Sequence, residues 1–134
     1  MIELDTALMT VLHGDATLAA DGCTGVFHGI AHEDQDFPYL TFQAMAEPRR
    51  YTMGGRKTVE AVYLVKAHDS GDTQDRATTL RDRADFLLTN EPLALGGGWT
   101  HMDTKMEETL DLPERTSGIT FQQIGGRFRI WLTK

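Results

Sequence analysis

The sequence predicts an α+β domain in which two helices pack on one face of a mostly antiparallel sheet. Three observations lead there. From Thr58 to Ala67, Val59, Ala61, Tyr63, Val65 and Ala67 share one face at period two, with the β-branched and aromatic side chains that suit a buried, pleated surface. Two longer stretches, Ile2 to His13 and Asp72 to Thr89, repeat their apolar residues at helical spacing. The remaining apolar runs are short, and no repeat or linker divides the 134 residues, so one domain with one core is expected.

Taken in order, Leu4, Ala7, Leu8, Val11 and Leu12 form the stripe of the first helix, which Gly14 ends. A short helical turn over Ala16 to Ala20 follows, then a break at Asp21-Gly22 and a short strand from Val26 to Ile30. Ala31 to Asp36 reads as acidic loop. Pro38 opens a strand over Tyr39 to Ala46, because its missing N–H is tolerable at a strand's first residue; Leu40, Phe42, Ala44 and Ala46 make its core face. Glu47 to Lys57 is basic and longer than a tight hairpin needs, and is read as a projecting loop. Asp72 is expected to cap the long helix, whose buried stripe is Ala77, Leu80, Ala84, Leu87 and Leu88. After Gly96-Gly97-Gly98, Trp99 to Glu108 alternates Thr100, Met102, Thr104 and Met106 against His101, Asp103, Lys105 and Glu107, as an edge strand does. Asp111 to Gly118 reads as loop. Ile119 to Leu132 carries two strand-like runs, and Gly125-Gly126 between them is either a hairpin turn or a bulge in one long strand.

The chain holds 13 Lys and Arg against 20 Asp and Glu, a formal charge of −7, which opposes a general nucleic-acid binder lacking a basic face to displace phosphate counterions. It suits a surface that DNA slides past. No apolar run approaches the roughly 18 residues of a membrane span, and the opening residues lack the pattern of a secretory signal, so a cytoplasmic origin and no membrane role are expected. Cys23 is the single cysteine and reads as a small, partly buried thiol.

Motifs that carry chemistry are scarce. His28, His32, Glu33, Asp34 and Asp36 cluster in sequence but follow no metal-ligand spacing, so a solvated acidic loop is preferred to a small metal-dependent hydrolase built on His28, His32 and Asp36. His101 and Asp103 share a predicted strand face without a nucleophile. The glycine pairs form no phosphate-binding signature. No catalytic residue, metal or cofactor is expected. The outward face of the sheet is harder to dismiss: Tyr39, Met45, Val62, Leu64 and Trp131 would expose more apolar surface than a lone soluble chain carries, which calls for a protein neighbour, most simply a second copy.

With those elements laid out, the sequence resembles the tail-completion, or tail-terminator, family of long-tailed phages with non-contractile tails and of related gene-transfer particles. The resemblance spans nearly the whole chain. It rests on the opening helix with its Asp15-Ala16-Thr17-Leu18 follow-on and on the Phe37-Pro38-Tyr39-Leu40-Thr41-Phe42-Gln43 strand. It continues through the Gly-Gly-Arg turn before the central strand, the Asp-rich start of the long helix, and Gly126-Arg127-Phe128-Arg129-Ile130-Trp131-Leu132 at the close. The acidic insertion around His32 to Asp36 and the Gly96-Gly97-Gly98 run depart from the family's pattern.

The resemblance implies a structural virion protein, assembled in the host cytoplasm, that forms a ring of six copies, caps the tail tube, stops its polymerisation and meets the head's connector. It implies no catalysis. A head–tail connector subunit is the alternative in the same class. The implied partners are further copies of the chain, the tail-tube protein and a neck protein, with genomic DNA passing through an acidic lumen unbound. The interface residues expected on this reading are Tyr39, Met45, Arg49, Arg50, Tyr51, Arg56, Lys57, Leu64, Arg129 and Trp131.

Overall fold

A computed structural model describes residues 1–32, 34–51, 55 and 57–134, without the side chains of Arg50, Tyr51 and Thr116. The elements are α1 (Ile2–His13), α2 (Ala16–Ala20), β1 (Val26–His28), β2 (Tyr39–Ala46), β3 (Arg49–Tyr51), β4 (Lys57–Ser70), α3 (Asp75–Asn90), β5 (Thr100–Thr116) and β6 (Ile119–Thr133). One sheet runs β1-β2-β4-β6-β5, with β3 also paired to β4. Its pairings are antiparallel except β1 with β2, so the expected α+β class holds.

The period-two face of β4 is the centre of the core. Val59, Ala61, Tyr63, Val65 and Ala67 are buried there beside Phe128, Ile130 and Leu132 of β6, with Leu40 and Phe42 of β2 on the other flank. The stripes of α1 (Leu4, Ala7, Leu8, Leu12) and α3 (Ala77, Leu80, Ala84, Leu87, Leu88) close over them. Burial of these side chains, at about 25 cal/mol per Å² of apolar surface, holds the helices to the sheet. Short α2 is placed by Asp15, whose carboxylate accepts from the Leu18 N–H and pairs with Arg83 of α3 at 3.0 Å. The hydrogen bonds from Arg83 hold the Asp15 carboxyl below the usual carboxylate range.

Several expectations need correction. β4 continues to Ser70, and the turn is made by Gly71 at φ +119, so α3 begins at Asp75 and Asp72 does not cap it. Glu47 to Lys57 is not all loop, because Arg49–Tyr51 pairs with Lys57–Val59 as β3. β1 ends at His28 rather than Ile30, and it pairs only with Leu40 to Phe42; beyond it Ala44 and Ala46 of β2 are exposed instead of joining the core face.

The C-terminal hairpin differs most. Asp111 to Thr116 is not loop but the continuation of β5, and the chain reverses at Ser117-Gly118 (φ 53 and 79), both left-handed as a two-residue hairpin turn requires. Gly125-Gly126 is neither turn nor bulge. Both residues lie in unbroken register, Gly125 between Lys66 and Leu110 and Gly126 between Val65 and Thr109. The irregularities are in β5, between His101 and Asp103 and between Met106 and Glu108. The first turns His101 to the helix side with Thr104 and leaves Asp103 outside, so the expected alternation fails at His101.

Candidate interaction surface

The outer face of the sheet, opposite the helices, has two unlike regions. Its central part is ionic. The bulge at Glu107 places Glu107 and Glu108 side by side, where Glu107 accepts from Arg129 and Glu108 accepts from Arg127 Nη2 at 2.6 Å. Arg129 also reaches Glu60 Oε2 at 3.4 Å. Arg129 holds the Glu107 carboxyl below its ordinary range. This network lies over Val62, which is only 8% exposed, while Leu64 and Trp131 are half-buried beside it. Opposite charges thus occupy much of what the sequence suggests is an apolar patch.

The second region is aromatic, at the end where β2 begins and β4 stops. Tyr39 stacks on the His68 ring at 4.7 Å and on Phe37 at 5.4 Å, with Phe27 edge-on at 5.9 Å. Phe37 leans on Phe121 of β6 at 5.7 Å. The cross-strand pairs Glu114–Phe121 and Leu112–Gln123 carry this surface onto β5, where Leu112 is 51% exposed; Ile119 beside the turn is 52% exposed. Aromatic rings packed edge-on or offset make a rigid floor for such a surface.

His68 belongs to that floor. Its Nε2 lies 2.8 Å from the Thr41 hydroxyl, and burial, with Lys66 nearby, lowers its pKa to about 4. Because the unfolded imidazole titrates near the ordinary value of roughly 6.5, the unfolded chain takes up the proton first. The stability contributed by neutral His68 is complete above about pH 6.5 and is lost as pH falls toward 4. Urea midpoints should therefore decline across that window, and His68→Gln should flatten the slope. An unchanged slope in the variant would assign the decline to other groups.

The residues expected at an interface are dispersed. Tyr39 sits in the aromatic floor; Leu64, Arg129 and Trp131 lie along the ionic centre; Met45, 54% exposed, is on the far half of β2. Arg49 is exposed on β3, and Lys57 is exposed with its carbonyl accepting from the Lys134 N–H at 2.9 Å. Arg56 and the side chains of Arg50 and Tyr51 lie outside the described residues. Phe27, Phe37, Phe121, Leu112 and Ile119 escaped the sequence reading. A period-two count down β6 and its hairpin partner would have put Phe121 on the face of Arg127 and Trp131.

The histidines do not converge. His28 stacks on Phe42 at 5.1 Å on the helix side and approaches Asp5 at 3.6 Å, whereas His32 meets the edge of Phe27. Glu33 lies outside the described residues, and among those described no three His, Cys, Asp or Glu side chains gather as a metal site. The Tyr63 hydroxyl donates to Asp5 and lies 3.4 Å from Glu47; burial and these carboxylates push its pKa far above the phenolic range. His101 accepts the Leu93 N–H at Nδ1 (3.1 Å), which leaves Nε2 protonated toward the Thr104 hydroxyl at 2.7 Å. It clasps the loop after α3 and does not pair with Asp103 as a base.

No protein-family profile matches the chain, and no curated protein matches it. Among solved structures, it is similar to a chain in the virion of a native gene transfer agent particle, with a TM-score of 0.80 at 15% identity over 98% of this chain and 96% of that one. A second solved chain, which carries no functional description, superposes with a TM-score of 0.50 at 14% identity over 96% of this chain and 91% of that one. The first likeness establishes a shared fold over essentially the full length of both chains.

Proposed function

We propose that the chain is a non-enzymatic structural protein of a phage-like particle, and specifically a tail terminator. Copies, six in this reading, close into a ring at the head-proximal end of a tail tube, block further addition of tube subunits and offer their other side to the neck. The observation that carries the reading is the end-to-end fold likeness to a chain of a gene transfer agent virion. The surface chemistry supports it. Among the described residues no three His, Cys, Asp or Glu side chains gather as a metal site, whereas the outer face of the sheet offers ionic and aromatic regions suited to protein contact. The Arg49 to Lys57 hairpin, exposed Met45 and the outer face bearing Tyr39, Leu64, Arg129 and Trp131 contact neighbouring copies, the tube protein or the neck protein. An excess of seven negative charges lets DNA pass through the lumen without sticking.

The test is a polymerisation assay. Purified chain added to assembling tube subunits of the same particle should halt growth and yield short tubes carrying a terminal ring. Tubes of unchanged length with no chain bound at their ends would overturn the terminator role.

A further inference from the structure

Resting on the ring reading above, we infer that the aromatic end of the outer face receives the Arg49 to Lys57 hairpin of a second copy of this chain. The sheet's edges are poor places for copies to join. β5 carries two register irregularities and Pro113, and β1 is three residues long, devices that blunt an edge against strand addition. In the ionic centre of the outer face, Glu60, Glu107 and Glu108 are already paired with Arg127 and Arg129 of the same chain. At the aromatic end, by contrast, Leu112 and Ile119 are half exposed on the sheet beside the packed rings of Phe37 and Phe121, a contiguous apolar surface.

The chemistry of the hairpin matches that surface. In sequence it places Tyr51 and Met53 between Arg49 and Arg50 on one side and Arg56 and Lys57 on the other, an apolar centre with cationic flanks. The aromatic end is apolar with anionic flanks: exposed Asp34 and Asp36 in the loop that leads into Phe37, and exposed Glu114 across from Phe121. Charge complementarity of this kind fixes orientation and discourages wrong partners.

The two surfaces lie at opposite ends of one strand. Tyr51 pairs with Lys57, the first residue of β4, and Phe121 pairs with Ser70, the last. At roughly 3.3 Å per residue the strand separates them by about 40 Å, so a chain cannot seat its own hairpin. The contact runs head to tail, which makes it heterologous and able to close into a ring.

Photo-cross-linking tests this on the full chain. Benzoylphenylalanine in place of Tyr51, in an equal mixture of light and 15N-labelled protein, should give light-to-heavy cross-links that map to residues 112–121. Leu112→Asp, on an exposed edge position, should reduce that product at least tenfold while the far-UV spectrum stays unchanged. A ring-sized species whose cross-links map elsewhere, or that gives none, overturns this contact and leaves the ring. A chain that sediments as a monomer and yields no light-to-heavy product overturns both.

Discussion

Gly125→Val is expected to cost at least about 3 kcal/mol, and the variant should unfold near the start of a urea titration or fail to accumulate as soluble protein. A Cβ on Gly125 would sit 2.5 Å from the Val65 carbonyl oxygen and 3.1 Å from the Lys66 Cα, both backbone atoms of the central strand. That strand cannot retreat, because Lys57 to Ser70 is paired on both sides along most of its length. The adjacent glycine supplies the control. A Cβ on Gly126 meets the Met106 sulfur at 2.6 Å, the flexible end of an adaptable side chain, so Gly126→Ala should cost only about 1 kcal/mol. Equal costs for the two glycines, measured by urea unfolding, would contradict the steric account.

Phe128→Ala should lower stability by about 3–5 kcal/mol. Phe128 is fully buried on β6, with Tyr63 of β4 and Met106 of β5 as its cross-strand partners, so removing the ring leaves a cavity at the sheet's centre. Phe86 on α3, by contrast, is 49% exposed, and Phe86→Ala should cost less than about 1 kcal/mol. Calorimetry or urea unfolding followed by tryptophan fluorescence distinguishes them. A Phe128→Ala protein as stable as Phe86→Ala would mean that the core is not centred on β4 and β6.

Elements whose periodicity reports burial were legible from the residues. The stripes of α1 and α3 and the inward face of β4 appear in the sequence as they appear in the structure, because one covered face forces apolar residues into register. β5 was only half legible. Its second half, Thr109 to Thr116, contains Pro113 and alternates weakly, since an exposed edge strand is under little pressure to pattern its side chains. Its irregularities at His101 and Glu107 leave no mark in the composition, yet they decide which face His101 occupies and bring Glu107 within reach of Arg129.

The candidate surface was hidden for another reason. Phe27, Phe37, Tyr39, His68 and Phe121 come from separate strands and the loop before β2, and they meet only through the registers β1–β2, β2–β4 and β4–β6. Period-two reasoning identifies the outward residues of each strand but not their neighbours on the next. For that reason the sequence groups Tyr39 with Leu64 and Trp131 rather than with the phenylalanines it touches. Conversely, the sequence places Arg129 at an interface without indicating that Glu60 and Glu107 of the same chain engage it, or that Glu108 engages Arg127.

The proposed ring-forming virion role is tested most directly by locating the chain in an assembled particle by cryo-electron microscopy. A closed ring of copies between the last layer of tail-tube subunits and the neck, with the hairpin of each copy lying on its neighbour, is the predicted result. Density that places a single copy there, or copies elsewhere in the particle, or a particle that matures without the chain, would contradict it.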